Sequence, residues 1–333
     1  MTAERLNLVR FAQGSGPLVE SFFLKVRLAS GCFWARYTFR RPLPGAGFPS
    51  GSLWAVLQEA DGKAIAGCDT YPESEVAIGR HYLRTGPGEL TMGRATGRVG
   101  RAPRPIEWDL TFATGVPFFM HFPLAAMYHD RFPGNKVCSP HVITRFQGVV
   151  RVGEREFRLD GARGMQGHNW GKGVARSWMF GYCPALVYAG SDNEATDTAF
   201  EVVSGALGLG PLTLPPLTMI YFYRPGLELV FNRPDQMVMS RSRLRGLVWE
   251  FAGRTGGYQL EGKLSTTPAQ TIGLDYVSSD GSSVRCLSSD LADAELRVSG
   301  PSLDLRLLAQ GTATMELGGL ATRGISVPVL VRG

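Results

Sequence analysis

The segment Phe157–Gly173 reads FRLDGARGMQGHNWGKG, and Arg176–Cys183 after it reads RSWMFGYC. Glycines flank the triplet His168-Asn169-Trp170, and a glycine backbone can turn tightly without steric cost. Beyond the triplet, Trp178, Phe180 and Tyr182 occupy alternate positions, so a β-strand would place their side chains on one face. The stretch therefore predicts a tight turn with a polar and aromatic tip that leads into an aromatic strand.

The same period-two alternation recurs through most of the chain. Ile106–Ala113 alternates apolar with polar residues, and Asp-Gly pairs such as Asp61-Gly62 are strong hairpin signals. No segment has the pattern of a long amphipathic helix. The pattern predicts an all-β protein, and the number of strands exceeds what one small sandwich holds. Two barrel-like halves would accommodate them, with the division in the proline-containing stretch Gly205–Pro216.

The amino-acid composition and charge argue against a transmembrane protein and against a nucleic-acid-binding protein. The chain has 333 residues, of which 44% are hydrophobic, and its 42 glycines and 21 prolines favour turns over long helices. No apolar run is long enough for a transmembrane helix. The net charge of +6 lies in the first half and lacks the dense basic clusters typical of nucleic-acid binding. We therefore expect a soluble, cytoplasmic protein with no nucleic-acid partner, although peripheral contact with a membrane stays open.

Cysteine and histidine spacing predicts neither a disulfide framework nor a metal site. The 5 cysteines are scattered and form no Cys-x-x-Cys pair, which fits reduced thiols. The pair Cys138 and His141 lacks the further ligands that zinc requires. We expect no metal and no cofactor.

The string Gly-His168-Asn169-Trp170-Gly, after the Asp160-Gly161 turn and with Trp178 downstream, resembles the AttH-like and carotenoid 1,2-hydratase superfamily. That superfamily includes the tocopherol-cyclase-like proteins, and fungal decalin-forming Diels–Alderases are similar in architecture. The resemblance implies two consecutive lipocalin-like antiparallel β-barrel domains, which we place at residues 1–210 and 211–333.

The resemblance also implies a reaction site lined by a histidine and a tryptophan of the motif. Carried over to this sequence, these are His168, as acid, base or hydrogen-bond donor, and Trp170, as cavity wall. The acidic partner is less well placed by the resemblance. Asp192 and Asp197 both follow at plausible distances, and we take Asp192 as the candidate catalytic acid.

Aromatic and amide side chains near the motif are candidate substrate-binding residues. Trp178 and Tyr182 would line an apolar chamber together with Trp170, and Asn169 would contact the substrate. Aromatic faces stabilise a carbocation by on the order of 1–2 kcal/mol each when desolvated. We therefore expect a cofactor-independent enzyme that cyclises, hydrates or isomerises a hydrophobic polyene or isoprenoid-like molecule.

Three alternatives stay open at this point. The motif could be a fold-stabilising corner in which His168 ties a turn to neighbouring carbonyls and Trp170 plugs a barrel end. The protein could bind or carry a lipophilic ligand without catalysis, or it could be a scaffold with no cavity. The ligand could lie in either barrel or in a cleft between them.

Overall fold

Antiparallel strands form nearly all of the regular structure in this computed structural model. The structure describes residues 2–11, 14–80, 82–101, 103–114, 117–129, 133–206, 208–209, 212–213 and 216–333. Within them lie two 12-stranded sheets, one for each half of the chain, and the first sheet curls into a nearly closed barrel. The predicted all-β fold with two barrel domains is confirmed.

The first sheet has the strand order β4-β3-β2-β1-β12-β11-β9-β8-β7-β6-β5, with β10 paired to β11. Its strands are β1 (Leu18–Leu28), β2 (Gly31–Arg41), β3 (Ser50–Glu59), β4 (Ala64–Pro72), β5 (Val76–Ile78), β6 (Leu83–Thr85), β7 (Gly88–Leu90), β8 (Arg94–Val99), β9 (Ile106–Phe112), β10 (Phe119–Met120), β11 (Asn135–Val152) and β12 (Arg155–Gly171). The sheet curls round so that β3 and β4, near one end of the strand order, contact β8, near the other end.

The second sheet contains β13 (Ser177–Cys183), β14 (Val187–Tyr188), β15 (Ala199–Gly205), β18 (Leu217–Arg224), β19 (Leu227–Phe231), β20 (Arg241–Arg245), β21 (Val248–Thr255), β22 (Tyr258–Ser265), β23 (Ile272–Val277), β24 (Ser283–Gly300), β25 (Leu303–Gly319) and β26 (Val329–Arg332). A separate hairpin pairs β16 (Gly208–Leu209) with β17 (Leu212–Thr213). Helical structure in the described ranges comprises α1 (Ala3–Leu6), α2 (Pro234–Met239) and 3-10 turns at Glu73–Glu75, Ala125–Tyr128, Pro268–Gln270 and Leu320–Thr322.

The chain passes from the first sheet to the second between Gly171 and Ser177. This is earlier than the boundary at residue 210 that the proline-containing stretch predicted. The strands β13 and β15 lie before residue 210, yet they pair with β25 and β18 of the second sheet. The two strands that flank this stretch, β15 and β18, are neighbours in one sheet, and Pro211 and Pro215 themselves lie outside the described residues.

The His168-Asn169-Trp170 motif lies within β12, not in the turn that its flanking glycines predicted. Residues 164–171 of β12 pair continuously with β1, and His168 lies opposite Phe22. A glycine in this strand serves close packing instead. A Cβ atom on Gly167 would lie 2.1 Å from the ring of Phe23, so the missing side chain lets that ring cover the strand.

Buried apolar residues form three clusters, one inside each barrel and one between them. On β1, Phe22 and Leu24 point into the first barrel, while Phe23 points outward into the cluster between the domains. Because side chains alternate across a strand, a single wall of the first barrel serves two cores. This explains why β1 is buried on both faces.

A buried ion cluster links the domains across the same wall. The ammonium group of Lys25 lies 2.7 Å from the Asp290 carboxylate and 2.9 Å from that of Glu316, and the lysine side chain is 2% exposed. Burial alone would lower the pKa of Lys25, but the two carboxylates outweigh it and raise that pKa. None of the helices in the described ranges combines the length and the apolar character that a bilayer span needs.

Candidate functional site

A cavity of about 400 Å³ lies between the two sheets, outside both barrel interiors. Strands β1, β2, β11 and β12 supply one side of its wall, and strands of the second sheet supply the other. Its aromatic lining is Phe23, Trp34, Phe122, Trp170, Trp178, Phe180 and Tyr276. Of the locations that the sequence left open for a ligand, either barrel or a cleft between them, this cavity lies in the cleft.

Three stacked groups cross the domain boundary at this wall. The Arg36 guanidinium of β2 lies over the ring of Tyr276 on β23, 4.1 Å from its centroid. The indole of Trp178 lies parallel to the same ring, with centroids 6.4 Å apart and an interplanar angle of 22°. Cation–π contact and ring stacking hold these groups in fixed orientations, so the wall keeps its shape without a ligand.

Two residues of the motif reach the cavity. Trp170 and Asn169 both line it, and Trp170 is 7% exposed. The Trp170 ring also packs at 5.9 Å from Tyr128 and lies beneath the guanidinium of Arg10 at 5.2 Å. These contacts hold the indole in the cavity wall.

His168 is fully buried behind Trp170 and does not line the cavity. Its ring stacks on Phe22 at 3.9 Å and lies 4.5 Å from the Trp170 ring. The His168 Nε2 atom is 2.9 Å from Oε1 of Glu20, which is also fully buried. Glu20 in turn accepts hydrogen bonds from the backbone amides of Arg10 and Phe11. The imidazole therefore ties β12 and β1 to the N-terminal segment and supports the indole from behind.

Trp178 and Tyr182 differ in position although they share a face of β13. Trp178 lines the cavity and lies on Gly318, where a Cβ atom would come 2.1 Å from its ring. Tyr182 is 1% exposed and packs in the core between the domains without reaching the cavity. Burial raises the pKa of its phenol well above the ordinary value. Of these two candidate substrate-binding residues, Trp178 is at the cavity and Tyr182 is not.

The structure places both candidate acids away from the cavity, which corrects the expectation for Asp192. Asp192 lies in an exposed loop after β14. Asp197 is also on the surface, where its carboxylate pairs with Arg145 at 2.5 Å. Neither residue lines the cavity. The loop between β14 and β15 faces solvent, and spacing along the sequence could not show this.

Charged groups at the cavity come from residues that the sequence did not single out. Arg36, Lys136, Arg176 and Glu316 all line it. The Glu316 carboxylate lies 2.9 Å from the ammonium group of Lys25. The pattern of β2 carried a signal for Arg36, since alternate positions Trp34, Arg36, Thr38 and Arg40 place cations on the same face as an indole.

Metal-binding groups are not brought together. Within the described ranges, no three His, Cys, Asp or Glu side chains lie close enough to hold an ion. Cys138 and His141 are both buried in β11, and neither ring nitrogen of His141 has a hydrogen-bond partner among the described residues.

Comparisons with known proteins support the fold. The chain is similar to the crystal structure of an AttH candidate from Nitrosomonas europaea, with a TM-score of 0.52 and 13% identity over 94% of this chain and 97% of that one. It is also similar to the crystal structure of CghA, with a TM-score of 0.57 and 14% identity over 92% and 89% of the two chains. The fold is AttH-like.

The sequence relatives of this chain do not indicate an activity. Two uncharacterized proteins of Mycobacterium tuberculosis, from strains CDC 1551 and H37Rv, are each 27% identical over 252 residues, covering 75% of this chain and 68% of theirs. No protein-family model matches the chain.

Proposed function

We propose that the protein is an enzyme that binds a hydrophobic, polyene- or isoprenoid-like molecule between its domains and promotes cyclisation or isomerisation of that molecule. The observation that carries the proposal is the cavity of about 400 Å³ with aromatic rings from both sheets in its wall. Domain boundaries are common ligand sites, and cavities of this size bury most of a small ligand.

The side chains of the wall supply the chemistry that such reactions need. An apolar chain confined between fixed rings reacts with a smaller entropic cost than a free one. The faces of Trp170 and Trp178 would stabilise developing positive charge, by on the order of 1–2 kcal/mol each. The N–H groups of Arg36 and Asn169 line the same space and can donate hydrogen bonds to a carbonyl oxygen.

Hydration is less well supported than cyclisation or isomerisation. Adding water to an alkene requires a strong acid to protonate a carbon atom first. Among the described lining residues, the one carboxyl group is that of Glu316, and it is already engaged by the ammonium group of Lys25 at 2.9 Å. A concerted ring closure needs only a folded substrate and hydrogen-bond donors, which this cavity offers.

The second candidate function is a non-catalytic carrier of a lipophilic ligand. One observation favours it: neither His168 nor Asp192, the candidate catalytic residues, lines the cavity. The same aromatic walls would bind a ligand without changing it.

Conversion of a natural compound separates these functions. A lipid extract of the cells that make this protein is incubated with native protein, with Ala175→Trp and with Asp192→Ala, and then analysed by chromatography and mass spectrometry. Ala175 is half-buried in the connection between the sheets and lines the cavity, so an indole there fills it. Asp192→Ala is the matched control because that residue is exposed and distant from the lining.

We expect the native protein and Asp192→Ala to change the retention time of a compound at constant mass, and Ala175→Trp to leave it unchanged. A product heavier than the compound by the mass of one water molecule would show that the reaction is hydration and not cyclisation. Enrichment of an unconverted compound would establish the carrier function instead. No difference between native protein and Ala175→Trp would contradict both candidates.

A further inference from the structure

A second cavity of about 250 Å³ adjoins the aromatic one. The two share Val19, Arg36, Val174 and Tyr276 as wall residues. One molecule can therefore extend from the first space into the second, past the Arg36 side chain.

Serine, threonine and arginine supply six of the twelve residues that line the second cavity. Four hydroxyl groups and two guanidinium groups come from one face of β2, β3 and β4: Arg36, Thr38, Arg40, Ser50, Ser52 and Thr70. Strand register explains the grouping, because Thr38 lies opposite Ser52 and Ser52 lies opposite Thr70. Two residues further along the same face, Arg36 lies opposite Trp54, which belongs to the core between the domains. Along the strands, this face therefore changes from aromatic residues at one end to arginine, serine and threonine residues at the other.

The two arginines lack carboxylate partners in the described part of the chain. The Arg36 side chain is oriented by hydroxyl groups, with Nε donating to Thr38 Oγ1 at 3.0 Å and Nη2 donating to Ser21 Oγ at 2.8 Å. Arg40 makes a long contact of 3.4 Å from Nη1 to the carbonyl of Ala46. Both side chains are half-buried. Two guanidinium groups held in a recessed space, with no carboxylate in ion-pair contact, would attract an anion.

We propose that this second cavity, the headgroup site, binds the carboxylate of an amphipathic acid whose apolar chain lies in the aromatic cavity. The planar fork of an arginine matches a carboxylate in two-point contact, and the hydroxyl groups can donate to its oxygens. The inference rests on the proposed binding of an apolar molecule between the domains, and it specifies that this molecule carries an acid at one end.

A matched pair of polyenes tests the headgroup site. All-trans-retinoic acid and all-trans-retinol share their chain and differ in the charge of the head, and both can be followed by quenching of tryptophan fluorescence. Dissociation constants are measured at neutral pH for native protein, Arg40→Met, Arg36→Met and Arg36→Lys. Arg158→Met is the control, since that side chain is 87% exposed on the first barrel.

We expect native protein to bind the acid more tightly than the alcohol. Each methionine substitution should weaken acid binding by about ten- to a hundredfold, the usual size of a lost charge-assisted hydrogen bond. Arg40 lines only the second cavity, so Arg40→Met should leave retinol binding unchanged. Arg36→Lys should keep more of the preference for the acid than Arg36→Met does, because lysine keeps the positive charge but lacks the planar guanidinium group. Arg158→Met should bind both probes as the native protein does.

Equal binding of acid and alcohol to native protein would overturn the headgroup site and leave the proposed function standing. The headgroup site would also be wrong if Arg40→Met weakened both probes equally while the thermal midpoint stayed at the native value. Failure of native protein to bind either probe would remove the proposed function together with this inference.

Discussion

His168 and Trp170 lie two residues apart on one face of β12, but only the indole reaches the cavity. The imidazole is enclosed by Phe22, Trp170 and the Glu20 carboxylate. Its contribution to function is therefore to position the indole, and its direct effect is on stability.

Replacing His168 with alanine should lower the free energy of unfolding by about 2–4 kcal/mol, because the change removes a buried ring and a hydrogen bond to a buried carboxylate. Urea denaturation measures this loss. Trp170→Ala should instead weaken retinol binding. Relative to the number of atoms removed, it should lower the free energy of unfolding less than His168→Ala does. If His168→Ala kept native stability and lost retinol binding, the imidazole would contact the ligand and the positioning role would be wrong.

His141 makes stability depend on pH. Burial lowers the pKa of this imidazole to about 4 from its ordinary value of 6.5. Between these values the unfolded chain binds a proton that the folded chain does not, so the free energy of unfolding falls as the pH drops from about 6.5 to about 4. Above about pH 7 this contribution is constant.

The expected loss over that window is about 3 kcal/mol, at 1.36 kcal/mol per unit of pKa. His141→Leu should remove it, and His129→Leu should not, since His129 is exposed. Urea denaturation of the three proteins at pH 7, 5.5 and 4 gives the comparison. Parallel pH profiles for native protein and His141→Leu would show that the buried imidazole does not control this dependence.

At the scale of a strand pair, two glycines sit beneath aromatic rings in the second sheet. A Cβ atom on Gly318 of β25 would lie 2.1 Å from Trp178, and one on Gly300 of β24 would lie 2.2 Å from Tyr258. Gly318→Ala and Gly300→Ala should each destabilise the fold by about 1–3 kcal/mol through overpacking.

Only Gly318→Ala should also weaken retinol binding, because Trp178 lines the cavity and Tyr258 does not. Fluorescence titration of both variants tests this difference. Equal retinol affinity in the two variants would mean that the position of the Trp178 ring is unimportant for the ligand.

The elements were largely predictable from the sequence, and their places in the fold were not. Alternation identified β9, which buries one face more than the other. The alternating aromatic residues also identified β13, although that strand is buried on both faces towards its C-terminal end. The glycines around the motif predict a turn, but a glycine is equally suited to a strand position that an aromatic ring covers. The local sequence does not distinguish these two cases. The role of Gly167 depends on Phe23, which is distant in sequence and adjacent in the sheet.

Across the whole molecule, the buried ion cluster couples the domains that form the cavity. Removing one member of a buried pair leaves an uncompensated charge and costs about 3–5 kcal/mol. We expect Lys25→Met to have a cost of this size, seen in urea denaturation, and to weaken retinol binding, since Glu316 lines the cavity.

Lys263→Met is the matched control. The Lys263 ammonium lies 2.9 Å from Glu295, but both side chains are well exposed. Exposed pairs contribute about 0–1 kcal/mol, so this variant should stay close to native. Equal effects of the two substitutions would show that the buried cluster does not hold the domains together.

Two barrel domains were predictable at this scale, but the cavity between them was not. Its wall combines Arg36 from β2 with Tyr276 from β23, and no local pattern links positions so far apart. The expected acid, Asp192, was chosen by distance along the chain, whereas the fold places it in solvent. Residues on one strand can be assigned to a face from sequence, but the partner that faces them depends on how the domains dock.

A crystal structure of the protein in complex with all-trans-retinol tests the location of the ligand most directly. We predict electron density for the polyene between the two sheets, against Trp170 and Trp178. Density inside either barrel, or an interdomain cavity without ligand in a crystal where the ligand is bound elsewhere, would contradict that location.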